Sequence, residues 1–319
     1  MIDRLDVSVY TVPTDGPEAD GTLAWDRTTL ILVEAADGPT GGLGWTYGAP
    51  ATAAVVIALW DLKARLLDLP LARLLGGSAR EVPVYGSGGF TSYDAERTER
   101  QLCDWTEQQG IPRVKIKIGE SWGHHERRDL ERIAAARAVI GQDVELYVDA
   151  NGGYTRKQAV RVAHAFAGQG VSWFEEPVSS DDPAGLREVR NAVLADVAAG
   201  EYGYDLVDFT RLAAAGAVDC LQADATRCGG LTGWLRAAAV AEGFGLQLSA
   251  HCAPHVHAHV AAAVPNCRHL EWFHAHVRVE NLLFDGTLDP TGGTVTPGRS
   301  GAPGLGLTLA ARAASHRVG

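Results

Sequence analysis

A chain of 319 residues is long enough for one large domain or two modest ones. With 46% apolar residues and a net charge of −11 it is composed like a soluble globular protein. That charge disfavours nucleic acid and anionic membranes as partners, while leaving room for an anionic substrate if a metal ion reverses the local sign.

The first part of the chain reads as β. DVSVYTV and TTLILVEA have strand character and are separated by a polar stretch, PTDGPEADG, that reads as a loop. The helix AAVVIALWDLKARLLDL follows and stops at Pro70. From about Val82 short apolar runs alternate with amphipathic segments. The runs are VPVYGS, RVKIKIG, ELYVDAN, SWFEEP, DVAAGE, CLQADA, LQLSAH and HLEWF; helical segments between them include RDLERIAAARAVIG, RKQAVRVAHAFAGQG and TGWLRAAAVAEGFG. Eight strands of this kind predict a closed β/α barrel. After Arg278 the alternation gives way to a turn-rich tail, expected to return to the N-terminal β part. The α/β fold expected is thus a TIM-type (β/α)7β barrel with an α+β capping domain built from the N-terminal part and the C-terminal tail. Residues 1–80 would form the cap, 81–277 the barrel and 278–319 the tail. Five cysteines without C-x-x-C spacing argue against a disulfide framework, and no apolar run suits a signal peptide or a membrane span. A cytoplasmic protein with no nucleic-acid or membrane partner is expected.

Nearly every predicted barrel strand ends in an ionisable residue: Lys117, Asp149, Glu175, Glu201, Asp224, His251 and Glu271, at intervals of 32, 26, 26, 23, 27 and 20 residues. Residues at the C-terminal ends of barrel strands converge on one mouth. One such charge is ordinarily a solvated surface group. Seven in register would cost stability unless a cation and a substrate use them. Asp149, Glu175 and Glu201 end three consecutive strands and offer oxygen ligands that suit a hard cation such as Mg²⁺. Glu176 is set aside because strand parity favours its neighbour.

The chain holds 24 arginines and only four lysines, two of them in VKIKIG. Lys115 and Lys117 share a parity and face inward, and a lysine beside another cation loses proton affinity and can act as a base. Asp224 and His251 end neighbouring strands, and a carboxylate beside an imidazole fixes its tautomer. Glu271, shielded from water among other acids, is expected to be a protonated acid that donates to a developing oxyanion. His255, His257 and His259, with His124, His125, His274 and His276, are read as satisfied or surface side chains.

VKIKIG, VDAN, FEEP, AGE, QADATRCGGLTGW, SAH and HLEW, in that order, together with IALWDLKARLLDLPLARLLGG and the tail PGLGL, resemble the enolase superfamily, mandelate racemase subgroup. The resemblance implies roles. Lys117 is then the base on one substrate face and Lys115 the lysine that tunes it. Asp149, Glu175 and Glu201 are the ligands of one Mg²⁺, with Mn²⁺ able to substitute. Asp224 and His251 form the acid/base dyad of the other face, Glu271 is the electrophilic acid, and Asn151 contacts substrate. The implied chemistry is removal of the proton beside a carboxylate through an enediolate. Dehydration of an acid sugar to a 2-keto-3-deoxy acid by a carbon–oxygen lyase comes first. Racemisation or epimerisation of a 2-hydroxy acid, or a non-catalytic ligand-binding relative, are the alternatives. A small-molecule carboxylate is the expected partner and a homo-oligomer the expected assembly. Specificity is expected from cap loops around Thr14 to Trp25, which makes Thr14 and Trp25 candidate substrate contacts. In one place the chain departs from the pattern. GWTYGAPATAAVV runs straight into IALWDLK where relatives carry additional helices, which suggests a segment absent near Val56–Ile57, with a native deletion as the alternative.

Overall fold

The structure, a computed structural model, describes residues 2–47, 51–77 and 80–318. Strands β1 (Arg4–Ala19), β2 (Ala24–Asp37) and β3 (Thr40–Thr46) form an antiparallel sheet in that order. Most of the stretch PTDGPEADG, expected as a loop, belongs to β1, whose pairing with β2 shifts register between Pro13 and Glu18. Proline is tolerated there because β1 is an edge strand of its sheet.

Helix α1 (Ala51–Leu66) packs on this sheet and crosses Val56–Ile57 without a break. The glycines of GGLGW explain how closely it approaches. A Cβ on Gly44 would lie 2.2 Å from the Ala54 carbonyl oxygen, and one on Gly42 would lie 2.3 Å from the Leu62 nitrogen. Asp61 of α1 is fully buried and ties three parts of the molecule together. It accepts from the Leu43 N–H of β3 (2.7 Å), the Leu305 N–H of the tail (2.6 Å) and the Arg65 guanidinium (2.8 Å). The short helix α2 (Leu71–Leu74) leads to the barrel.

Eight parallel strands close the barrel: β4 (Val82–Gly88), β5 (Arg113–Lys117), β6 (Glu145–Asp149), β7 (Val171–Glu175), β8 (Asp196–Ala199), β9 (Cys220–Ala223), β10 (Gln247–Ala250) and β11 (Cys267–Phe273). β11 pairs with β4, so these strands leave no open edge. The principal crossover helices are α3 (Ala95–Cys103), the short α4 (Glu120–Gly123) with α5 (Glu126–Ile140), α6 (Arg156–Phe166), α7 (Pro183–Arg190), α8 (Leu206–Ala214), α9 (Gly230–Gly243) and α10 (Pro254–Ala261). Tyr85, Tyr147, Trp173, Ala198 and Cys220 form a buried cluster inside the barrel, with the His269 ring against the three aromatic members. Filling part of the barrel with large apolar groups leaves polar chemistry to the strand ends.

The tail begins inside a helix. α11 (His274–Leu283) spans positions 277 and 278, because Ala275, Val279 and Leu283 recur every four residues and are buried. Beyond it, β12 (Phe284–Asp285) pairs with β14 (Thr308–Leu309), and β13 (Thr294–Val295) adds antiparallel to β4. The chain then reaches β1, where the Val318 N–H donates to the Val9 carbonyl. All five cysteines are unpaired, and among the described residues no helix is long and apolar enough to cross a membrane.

Candidate active site

Register between neighbouring strands sets the first three charges side by side. Lys117 of β5 is level with Asp149 of β6, and Asp149 is level with Glu175 of β7. Glu201 lies two residues beyond β8, Asp224 and His251 one residue beyond β9 and β10, and Glu271 within β11. All are buried, as is Lys115.

Ligand atoms of Asp149, Glu175 and Glu201 lie within 4.8 Å of one another. Trp173 of the aromatic cluster donates its indole N–H to Glu175 Oε2 at 2.9 Å, which orients that carboxylate. The balance of charge fits a divalent cation. Six buried carboxylates, Asp149, Glu175, Glu176, Glu201, Asp224 and Glu271, stand against three fixed cations, Lys115, Lys117 and Arg227, and one imidazole, His251. Burial and the neighbouring Asp149 push the Glu175 carboxyl up to about 8, as expected of like charges crowded out of water. Oxygen ligands alone favour a hard ion such as Mg²⁺.

Glu176 belongs to this charge cluster although strand parity set it aside. β7 ends at Glu175, and Glu176 adopts a φ of 37°, so the strand rule no longer directs its side chain. Burial, then Glu201, Asp149 and Glu175, push its carboxyl well above the usual range.

Lys115 Nζ sits between Glu175 Oε1 (2.6 Å), Glu271 Oε1 (2.8 Å) and Asp149 Oδ2 (3.4 Å), and Lys117 Nζ donates to Asp149 Oδ2. Both lysines therefore differ from the expectation of lowered proton affinity. Burial disfavours their charge, but the carboxylates outweigh it and hold both ammonium groups above their ordinary range. Glu271 differs too. Burial would raise its carboxyl, but Lys115, His251 and Lys117 hold it well below the usual range, so it is ionised rather than protonated. Ser87 donates to its Oε1 (2.6 Å) and the Cys252 N–H to its Oε2 (2.9 Å).

His251 donates from Nδ1 to Asp224 Oδ2 at 2.9 Å, and Thr226 donates to Asp224 Oδ1 from both its N–H and its hydroxyl at 2.7 Å. Nε2 is left as the reactive nitrogen, 3.1 Å from Glu201 Oε2. Burial lowers the imidazole pKa, yet Cys252, Glu201, Glu271 and Asp224 together raise it well above its ordinary value.

A cavity of about 360 Å³ is lined by Lys117, Asn151, Glu201, Asp224 and His251. Asn151 donates its N–H to Asp149 Oδ1, while its buried Oδ1 has no protein partner. The cap contributes Trp25, Arg27, Thr29 and Tyr47 to the wall; Thr14, on β1, is not among the lining residues. Arg27, Tyr47, Arg227, Cys252 and His276 were not singled out from the sequence as site residues, since nothing in their spacing marks them. His276 stacks on Tyr47 with ring centroids 3.4 Å apart. His255, His257 and His259 are buried, and each makes a structural hydrogen bond.

Residues 97–313 match the family described as Enolase C-terminal domain-like, and residues 27–76 match the Mandelate racemase / muconate lactonizing enzyme, N-terminal domain. The chain belongs to the mandelate racemase/muconate lactonizing enzyme family of the enolase superfamily. Within that family, a mandelate racemase/muconate lactonizing enzyme-like protein from Rubrobacter xylanophilus has a similar structure, with a TM-score of 0.94 and 49% identity over 99% of each chain. L-talarate/galactarate dehydratase from Salmonella typhimurium is 31% identical over 90% of this chain and 68% of that enzyme. Its crystal structure with Mg and L-lyxarohydroxamate superposes with a TM-score of 0.90. L-Ala-D/L-Glu epimerase from Bacillus subtilis is 30% identical over 83% of this chain and 72% of that enzyme. The family relatives thus include both dehydratases and epimerases.

Proposed function

We propose that the protein dehydrates an acid sugar to a 2-keto-3-deoxy acid, with Mg²⁺ as cofactor. The observation that carries this reading is the pairing of a lysine and an aspartate-held imidazole on the wall of one cavity. Asp149, Glu175 and Glu201 would hold Mg²⁺, which would supply positive charge that favours negative charge on a substrate carboxylate. Lys117, in its neutral form after giving its ammonium proton to solvent, takes the α-proton. Asn151, with its free Oδ1, contacts a substrate hydroxyl. His251, protonated at Nε2, donates to the β-hydroxyl, whose C–O bond breaks as water leaves. The resulting enol tautomerises to the keto acid. Lys115 holds Glu271 and Glu175 in place, and Trp25 closes the cavity from the cap.

Its similarity to an epimerase gives the second reading. There His251 would return the proton to the opposite face, and no water would be lost. Incubation of the Mg²⁺-loaded protein with a library of acid sugars in D₂O separates the two. Keto acid formed with one deuterium at the new methylene supports dehydration; deuterium at the α-carbon without keto acid supports epimerisation. No turnover and no exchange with any carboxylate would favour a non-catalytic relative.

A further inference from the structure

Beside the carboxylate triad lies a second set of ligand atoms of different character. His251 Nε2, Cys252 Sγ and Glu271 Oε2 are separated by 3.3 Å (Nε2–Sγ), 3.4 Å (Sγ–Oε2) and 3.7 Å (Nε2–Oε2). A tetrahedral zinc ion with ordinary bond lengths to sulfur, nitrogen and oxygen spaces its ligands roughly 3.4–3.6 Å apart. The three protein atoms therefore already span one face of such a tetrahedron.

The turn that presents Cys252 is built for that placement. Cys252 and Ala253 both have left-handed backbone angles, φ 53° and 37°, which side chains other than glycine rarely adopt. Each carbonyl of this turn accepts from His257 Nδ1, at 2.7 and 3.0 Å, while His257 Nε2 accepts from the Ala225 N–H at 2.8 Å. The Ala253 N–H donates to His276 Nδ1, and the Cys252 N–H donates to Glu271 itself. Asp224 holds the other nitrogen of His251, which is the carboxylate–histidine arrangement that orients an imidazole toward a metal. His251 and Cys252 both line the cavity, so the fourth coordination position opens toward it.

We propose that His251, Cys252 and Glu271 form a second metal site, selective for a thiophilic divalent ion such as Zn²⁺, whose occupation silences the enzyme. The carboxylate triad offers only oxygen and retains the hard ion; the thiol and imidazole give the second site the softer preference. Binding displaces the thiol proton to solvent and occupies Nε2 of His251, the atom the proposed reaction uses. Three protein ligands would leave the fourth position open to water or another small ligand.

Two measurements on the Mg²⁺-loaded protein test this without using turnover, so failure of the acid-sugar reading leaves them interpretable. In the first, Co²⁺ is titrated in excess Mg²⁺. One equivalent should produce a near-ultraviolet thiolate-to-cobalt band, absent in Cys252→Ser. Absence of the band in the wild type, or its survival in that variant, overturns the proposal. In the second, one equivalent of Zn²⁺ is added to the wild type and its ligands are read by X-ray absorption. One sulfur neighbour should appear at about 2.3 Å with Mg²⁺ still in excess, and a zinc shell without sulfur overturns the proposal even if the variant fails to fold. Asp224→Asn should weaken Co²⁺ binding by about 10–100-fold, the usual cost of losing a group that orients a ligand. Once a substrate is in hand, Zn²⁺ should inhibit the wild type, and Cys252→Ser should need at least about tenfold more for the same fractional loss. Equal sensitivity would place inhibitory zinc elsewhere.

Discussion

The barrel and the cap bury carboxylates in opposite ways. At the barrel mouth six acids share Lys115, Lys117, Arg227 and His251, and no carboxylate there has a cation to itself. In the cap Asp61 stands singly against two backbone N–H groups and Arg65, Glu18 against one indole, and Glu280 of the tail against the Trp45 indole and the Tyr47 hydroxyl. Crowded acids are poor architecture, because each raises the cost of ionising the next. An isolated, fully bonded acid such as Asp61 is good architecture and a poor catalyst. The distribution of charge thus separates the part of the molecule that performs chemistry from the part that holds shape.

The sharpest test of that division is a pair of mouth variants. Lys117→Ala and His251→Asn should each lower turnover by about 10²–10⁴-fold while leaving the circular dichroism spectrum unchanged. Undiminished turnover by either would remove that residue from the mechanism. The reverse pattern is expected in the cap. Asp61→Ala leaves the Leu43 and Leu305 N–H groups and the Arg65 guanidinium without their buried acceptor, and should cost about 3–5 kcal/mol in urea unfolding. Turnover per folded molecule should persist. A loss below about 1 kcal/mol would mean that the tail and β3 do not depend on this carboxylate.

This contrast also explains what could be read from the sequence. The barrel's eight strands were legible because apolar runs and helical segments alternate, and its mouth because ionisable residues recur once per unit. Lys117, Asp149, Glu175, Glu201, Asp224, His251 and Glu271 are indeed brought together. Their protonation was not legible. Lys115 does lower the affinity of Lys117 as expected, but the carboxylates around both lysines outweigh that effect, and contact with Lys115 holds Glu271, expected to be neutral, below the usual carboxylate range. Glu176 was missed where strand parity ends. The cap was the least legible region: Pro13–Ala19 reads as a loop because strand pairing across a register shift depends on β2. Nothing in the sequence marks Asp61, because its backbone partners are 18 and 244 residues away. The segment suggested to be absent near Val56–Ile57 falls within continuous α1; sequencing the gene across that stretch and weighing the intact protein would decide between an absent segment and a short cap.

Removing the shared cation should expose the crowding at the mouth as a loss of stability. A ligand that binds only the folded state stabilises it by about 2.7 kcal/mol at a hundred times its dissociation constant. Chelation should therefore lower the melting temperature and abolish turnover together, with Mg²⁺ or Mn²⁺ restoring both. Full activity after exhaustive chelation would refute the metal assignment. The mouth acid variant Glu201→Gln should lose the Mg²⁺-dependent rise, because one of the three ligand carboxylates is gone.

The smallest expected effect lies in the cap, at Glu18. Its side chain accepts one bond, from the Trp25 indole N–H at 2.7 Å to Oε2, and its buried Oε1 has no partner. Burial, the dominant cause, pushes its carboxyl up to about 7; Trp25, Arg278 and Arg97 oppose that shift, and Asp15 adds to it. A carboxyl raised on folding binds its proton more tightly in the folded state. Its contribution to stability is therefore complete below the ordinary value of 4.5 and is lost as pH rises through about 7. Urea unfolding of the wild type between pH 5 and pH 8 should carry a decline of about 1–2 kcal/mol from this group. Glu18→Gln, neutral throughout, should remove that decline while keeping an acceptor for the Trp25 indole. An identical pH dependence of stability in wild type and Glu18→Gln would show that the acid is already ionised and hydrated at pH 5. The contrast with the barrel mouth would then rest on Asp61 without Glu18.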